Sequence, residues 1–332
     1  MIISRTPFRI SFFGGGTDYP QWYLANGGSV LATSIDKYCW IFCRYLPPFF
    51  EHRLRVVYSN IELCQSLEEI RHPAVRETLR FLRLSHGVEI HHNGDLPARS
   101  GLGSSSSFTV GLLHALYALK GATPNDRQLA EESINIEQNM IRETVGSQDQ
   151  FCVAFGGLNK IVFQTDGNID LLPLSLPDTR QEELNNNLML FYTGIRRTAS
   201  DVAKSYVDHL TNREKLLHRM QNMVDQGISI LTDGGDLDRF GHLLHEAWLA
   251  KRELSREISS PDIDRLYELA RAGGAIGGKL IGAGGGGFLL LFVPAERQNE
   301  VKNKLKRLIH VTFCFENEGR RIIFQKPDQD GF

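Results

Sequence analysis

The sequence predicts a two-domain α+β protein, and three observations lead there. At 332 residues the chain is long enough for about two hydrophobic cores. Strand-like runs alternate with stretches of helical periodicity in both halves. Between the halves lies DGNIDLLPLSLPDTRQEELNNN, residues 166–187, polar and interrupted by two prolines, which reads as the boundary segment. The expected domains are therefore 1–180 and 181–332.

In chain order, residues 2–13 read as a strand carrying Arg5 and Arg9, stopped by Gly14-Gly15-Gly16, a turn that a side chain would block. Asp18 follows, placed either to cap its own turn or to face a ligand. SVLATSIDKYCWIFCRY, residues 29–45, is rich in β-branched and aromatic residues and predicts two paired strands bent at Asp36-Lys37. A strand over 53–58, a helix over 75–84 and a half-buried strand over 88–92 come next. Thr123-Pro124 is a helix start, and that helix runs to about Thr144. On it Ala130, Ile134, Glu137 and Ile141 share a face, so Glu137 is either a buried ion-pair member or a ligand to a phosphate-bound Mg²⁺. Residues 145–150 then form a polar loop that presents Asp149.

The second half opens with a strand over 188–192, followed by helices over about 199–226, 237–258 and 263–272. Trp248, Lys251 and Arg252 lie close together on the second of these, where the two cations read as a solvated face. The cluster Gly277–Gly287 is too glycine-dense for regular structure and lets backbone pass close to a ligand or another loop. A helix over 296–308 and strands over 311–315 and 321–325 complete the alternation.

The chain is organised around LPARSGLGSSSSFTVGLLHALYAL, residues 96–119. Phe108, Leu112, Ala115, Leu116 and Leu119 recur at helical spacing, so a helix begins near Ser105; the plainer alternative for the loop is a tight turn with Ser104 as N-cap and nothing bound. Gly101 and Gly103 let backbone N–H groups approach a ligand, and the helix start adds unpaired N–H groups and a positive dipole end. Together they make an anion site, suited to nucleotide phosphates. It is not a GxxxxGK[ST] loop, since no lysine precedes the helix, and its glycine order is not that of a dinucleotide fingerprint.

Composition removes other classes of function. Lysine and arginine (37) nearly balance aspartate and glutamate (39), so no basic surplus points to nucleic acid. The apolar run Phe288–Val293 is far too short to cross a bilayer, and MIISRTPFRISFF lacks the long apolar segment of a secretion signal. Cys39, Cys43, Cys64, Cys152 and Cys314 are scattered, with no CxxC or Cys/His cluster. They read as free thiols in a reducing cytoplasm.

Three separated segments, PFRISFFGGGTDY, LPARSGLGSSSS and KLIGAGGGGF, resemble in order and spacing the signature motifs of the GHMP small-molecule kinases, which act on galactose, homoserine, mevalonate and phosphomevalonate. The resemblance implies an N-terminal α+β domain and a C-terminal ferredoxin-like domain, with ATP and acceptor in the cleft between them. Within the family, FGGGTD, GSQDQFCVAFGG and the YTGIRR and HEAWLAKRELS stretches are most similar to D-glycero-D-manno-heptose 7-phosphate kinases, with fucose-type sugar kinases as neighbours. That branch implies phosphorylation of the C1 hydroxyl to the 1,7-bisphosphate, feeding nucleotide-activated heptose synthesis for surface polysaccharide. ATP and Mg²⁺ are the implied cofactors. The expected partners are ATP and a small sugar phosphate, with no nucleic acid or membrane, and a homodimer is compatible with them.

The same resemblance assigns expected roles. Gly101, Leu102, Gly103, Ser104, Ser105, Ser106 and Ser107 would wrap the ATP phosphates, with Ser105, or alternatively Ser104, and Glu137 as Mg²⁺ ligands. Asp149 would be the base for the attacking hydroxyl, and Arg9 would stabilise charge as the phosphoryl group moves. Gly16, Thr17, Asp18, Gly156, Gly157, Gly284 and Gly285 would contact the sugar, and Arg196 and Arg197, helped by Lys251, Arg252 and Arg99, its phosphate. A catalytically silent nucleotide- or sugar-binding regulator is the alternative; it predicts damage at Arg9, Glu137 or Asp149, and all three are filled.

Overall fold

The computed structural model describes residues 1–84, 86–98, 100–195 and 199–326. The chain begins with β1 (Ile2–Phe13), α1 (Pro20–Asn26), β2 (Gly28–Tyr45) and the hairpin of β3 (Leu54–Val57) and β4 (Ile61–Cys64). α2 (Pro73–Phe81), β5 (Val88–Gly94), α3 (Ser104–Leu119) and α4 (Asp126–Ile134) follow. A π-helical turn, Asn135–Met140, extends α4 towards α5 (Gln148–Phe155), β6 (Leu158–Phe163) and β7 (Ile169–Pro173). Then come α6 (Asp178–Asn186), β8 (Leu188–Tyr192), α7 (Ala199–Val207), α8 (Glu214–Thr232) and α9 (Asp238–Arg252). α10 (Pro261–Ala272), β9 (Gly277–Leu280), β10 (Phe288–Phe292), α11 (Gln298–Lys304), β11 (Ile309–Val311), β12 (Phe315–Glu316) and β13 (Arg321–Gln325) complete the order.

The strands form two sheets. The first runs β13-β1-β2-β5-β3-β4, with β6, β7 and β12 joined through β2. The second runs β11-β8-β10-β9 and is antiparallel throughout. Its four strands, numbered along the chain, lie in the spatial order 4-1-3-2 of a ferredoxin-like unit.

The expected pair of strands over 29–45 is instead one 18-residue strand. Asp36 and Lys37 form a bulge, because Pro7 faces Tyr38 while Phe8 faces Ile35. β2 changes its second partner there, pairing with β5 beyond the bulge, with β12 at Ser34–Ile35 and with β6 before it. The bulge bends the strand without breaking its ladder to β1.

Residues 166–187 are not a linker. β7 extends the first sheet, and Arg180 of α6 donates to the carbonyls of Ile230 (2.9 Å), Leu231 and Gly235, fastening α6 to the end of α8. Nor does the second sheet hold everything after residue 180. β13 pairs with β1 from Ile2↔Gln325 to Arg5↔Arg321, and Phe315 pairs with Ile35. Local pattern marks these residues as strands but carries no information about which sheet they join.

Glycine density at Gly277-Gly278 also misled, because both lie in β9, paired with Phe292 and Leu291. A Cβ on Gly277 would stand 1.8 Å from the Gly241 carbonyl oxygen, so glycine is what lets α9 lie against the strand. The helix predicted from Thr123 starts later, capped by Asn125, whose side chain accepts from the Gln128 N–H. The core is continuous between the sheets: Phe240 of α9 meets Phe12 and Phe13 of β1 edge-on, with ring centroids 5.3 and 5.1 Å apart. That packing fixes the cleft between the two halves.

Candidate active site

Arg9 points inward from β1 and is 4% exposed, whereas Arg5, four residues earlier, lies over the Tyr38 ring beside Glu316 and Glu318. The Arg9 Nε and Nη2 donate to the two carboxylate oxygens of Asp149, each at 2.7 Å, and Nη1 donates to the Gly101 carbonyl at 2.6 Å. One guanidinium therefore holds both the acid and the glycine loop in a fixed fork geometry. Burial works against the Arg9 charge, but Asp149 outweighs it and keeps the group above its ordinary pKa. Asp149 lies in the first turn of α5 rather than in a loop, as the sequence had suggested.

The glycine loop threads past this pair. Gly103 has φ +75°, and a Cβ there would stand 3.0 Å from Arg9 Cγ and 3.4 Å from Asp149 Oδ2. Gly103, not Ser104, is the cap residue of α3, and Ser104 is the first helical residue. Gly101, Gly103, Ser104, Ser105 and Ser106 line a cavity of about 990 Å³. Leu102 and Ser107 do not: Leu102 is fully buried, and the Ser107 hydroxyl donates to the carbonyls of Pro7 (2.8 Å) and Gly103 (3.0 Å). The same cavity takes in Arg9, Gly14–Gly16, Asp18 and Asp149 from the first half of the chain. Lys251, Leu254, Lys279, Gly282 and Ala283 close it from the second.

Asp18 is 2% exposed and accepts from the Gly16 N–H (3.0 Å) and Gln148 Nε2 (2.8 Å). Burial pushes its pKa up. It thus caps its own turn and faces the cavity as well. Thr17 is spent internally, donating to Gly14 O and accepting from Ser29 N, and does not reach the cavity.

Other expected sugar contacts lie elsewhere. Gly156 and Gly157 end α5 against residues 316–319, where the Gly157 N–H donates to Glu316 O and a Cβ on Gly156 would meet Glu318. Gly284 and Gly285 turn against Ile258, whose carbonyl accepts from the Gly285 N–H. Both pairs let two backbones approach closely, which explains glycine without a ligand. Arg99, Arg196 and Arg197 lie outside the described residues.

Glu137 sits in the π-helical turn and is completely buried. One carboxylate oxygen accepts from Ser106 Oγ (3.0 Å) and Gln150 Nε2 (2.5 Å); the other has no hydrogen-bond partner. The serine that touches Glu137 is Ser106, which the first turn of α3 aims inward, while Ser105, expected as the second Mg²⁺ ligand, is exposed and lines the cavity. Burial pushes the Glu137 pKa from its ordinary 4.5 to about 7, against the hydrogen bonds from Gln150 and Ser106 that pull it down. A buried carboxylate oxygen without a donor, one residue from the cavity, fits the hard-oxygen donor set of a divalent cation.

The sequence reading gave no role to three cavity residues, Tyr19, Tyr206 and Lys279, and had Lys251 as one cation of a phosphate pocket. Tyr19 and Tyr206 bring their hydroxyls within 3.2 Å of each other from opposite halves of the chain. Lys251 and Lys279 are buried in the cavity wall, so the solvated-face reading holds only for Arg252, which pairs with Asp264 at 2.8 Å. A lysine between apolar neighbours in KLIGAGGGGF was the signal for Lys279; nothing local distinguished Lys251 from Arg252.

Residues 69–157 match the GHMP kinases N terminal domain and residues 228–310 the GHMP kinases C terminal domain. The chain is 27% identical to a D-glycero-alpha-D-manno-heptose 7-phosphate kinase of Campylobacter jejuni, across 96% of this chain and 97% of that one. It is 26% identical to a bifunctional fucokinase/GDP-fucose pyrophosphorylase of Arabidopsis thaliana, across 90% of this chain but 30% of that larger protein. In fold it resembles the crystal structure of a D-glycero-D-manno-heptose 1-phosphate kinase from Bacteriodes thetaiotaomicron, with a TM-score of 0.81 at 22% identity, covering 98% and 100% of the two chains. No helix among the described residues is long and apolar enough to cross a membrane.

Proposed function

This chain belongs to the GHMP kinases and is a sugar kinase, and on that premise we propose that it transfers the terminal phosphoryl group of ATP to the C1 hydroxyl of D-glycero-D-manno-heptose 7-phosphate. The observation that carries the reading is the Asp149 carboxylate, held by Arg9 at the edge of the Gly101–Ser106 loop in a cavity lined by both halves of the chain. The acceptor oxygen forms a bond to the terminal phosphorus as the bond to the bridging oxygen of ADP breaks. Its proton passes to Asp149. An anomeric hydroxyl is more acidic than other sugar hydroxyls, so a carboxylate suffices as base. The transition state is loose, so positioning and charge neutralisation carry most of the catalysis. Arg9 supplies fixed positive charge, the loop N–H groups hold phosphate oxygens, and Asp18 orients sugar hydroxyls.

Glu137, with Ser105 and Ser106 at the start of α3, would hold Mg²⁺, which neutralises phosphate charge when bound. Glu137→Gln is expected to raise the Mg²⁺ concentration needed for half-maximal rate without unfolding the protein. An unchanged Mg²⁺ dependence with a large drop in thermal stability would make the residue structural. The pH dependence of stability gives a second, metal-free reading. A carboxyl whose pKa is raised in the folded state contributes stability fully present below about 4.5 and lost as pH rises through about 7. In metal-free buffer the Gln variant should therefore gain stability relative to wild type as pH rises from 5 to 8, read from urea midpoints.

The acceptor is tested by kcat/KM for heptose 7-phosphate, unphosphorylated heptose, fucose and galactose. Heptose 7-phosphate should exceed the others by roughly ten-fold or more. Arg196→Ala should reduce that preference selectively if this arginine holds the sugar phosphate. Equal or better turnover of fucose or galactose would move the assignment to the fucokinase-like neighbour.

A further inference from the structure

Two amines in the cavity wall have no carboxylate partner among the described residues. Lys251, in the last turn of α9, is 7% exposed and donates to the backbone carbonyls of Leu280 (3.0 Å) and Gly282. Lys279, on β9, is 5% exposed and donates to Phe12 O at 2.8 Å. An ammonium has three donors, so about one N–H of Lys251 and two of Lys279 remain for the cavity side. The carboxylates nearby are already engaged: Asp149 takes two hydrogen bonds from Arg9, and Asp18 takes Gln148 and the Gly16 N–H. Arg9, Arg71, Lys251 and Lys279 thus outnumber Asp18, Glu143 and Asp149 around one space. Neutral carbonyls alone compensate two buried ammonium charges poorly.

We propose that Lys251 and Lys279 form a seat for a phosphate dianion, a role that rests on reading this cavity as a phosphoryl-transfer site. Three free N–H donors, from two elements lining one cavity, match the three oxygens of a terminal phosphate, and two positive charges match its charge. A neutral sugar brings no charge to hold both amines protonated. The dianion is either the terminal phosphate of the nucleotide or the phosphate carried by the acceptor.

The empty seat holds its protons weakly. Burial lowers the Lys279 pKa to about 7 and Lys251 well below its usual range; each also feels Arg9, which lowers it further, and Asp18, which opposes. An arriving dianion favours the charged amines, so binding draws protons from solution.

Calorimetry of the wild-type protein at pH 8, in buffers of different ionisation enthalpy, reads this uptake directly. The ligands are inorganic phosphate, ADP, a non-hydrolysable ATP analogue, heptose and heptose 7-phosphate. Proton uptake is expected with at least one phosphate ligand. That ligand should bind roughly ten-fold or more weakly to Lys251→Met and Lys279→Met, while unphosphorylated heptose keeps its affinity within about two-fold. Weakening confined to the ATP analogue assigns the seat to the nucleotide's terminal phosphate; weakening confined to heptose 7-phosphate assigns it to the acceptor. If the acceptor proves to be another sugar, the nucleotide measurements still decide. No proton uptake with any ligand overturns the proposal, as does unchanged binding by folded variants or equal weakening of heptose and heptose 7-phosphate alone. Should a variant fail to fold, the wild-type uptake decides.

Discussion

Asp149→Asn is expected to lower turnover by roughly two orders of magnitude or more while leaving ATP affinity nearly intact. The amide has the size of the carboxylate but cannot accept the proton of the attacking hydroxyl. It also offers one acceptor oxygen where Arg9 now meets two, each at 2.7 Å. Arg9 keeps its bond to the Gly101 carbonyl, so the phosphate loop retains its anchor and the effect should fall on kcat. Single-turnover rates with saturating ATP, set beside titration of an ATP analogue and thermal unfolding, separate lost chemistry from lost binding or folding. Wild-type turnover in the variant would remove Asp149 from the role of base.

Gly101→Ala should raise the KM for ATP by roughly ten-fold or more and lower the unfolding temperature by several degrees. Gly101 has φ +87°, and its Cβ would lie 2.3 Å from the Ile281 carbonyl oxygen and 3.4 Å from Gly282 Cα. Every obstructing atom is backbone, so no flexible side chain can swing aside. Relief requires moving the phosphate loop away from the segment that follows β9, and holding alanine at this φ costs about 1–3 kcal/mol in addition. Gly15→Ala is the stability control: nothing lies within 4 Å of its Cβ position and its φ is not in the left-handed region. Equal loss of stability in both variants would contradict this account of the junction.

The two predictions also mark what was legible before folding. β1 and the start of α3 fall within a residue of their expected bounds, because alternation and helical spacing are local properties. The loop of Gly101–Ser106 was legible for the same reason. What escaped the sequence was distance. Nothing near Glu137 says that Ser106 rather than Ser105 will face it, since that depends on the rotation of α3 against the π-helical turn. Lys251 and Arg252 are adjacent, and only the approach of β9 buries one and leaves the other to pair with Asp264. Gly156, Gly157, Gly284 and Gly285 looked like ligand contacts because close backbone packing and close ligand approach demand the same residue.

The pairing of β13 with β1 bears on the order in which the molecule can be made. Ile2–Arg5 are synthesised long before their outer neighbours, Arg321–Gln325. At about 5–20 residues per second, synthesis holds that edge open for tens of seconds. During this interval β1 can pair with β2 on one side only, and its other row of N–H and C=O groups is available to a neighbouring nascent chain. The N-terminal half therefore cannot finish folding vectorially, ahead of the C-terminal half. Its closure is a late event with high contact order, and it leaves a transient strand edge for chaperones to cover.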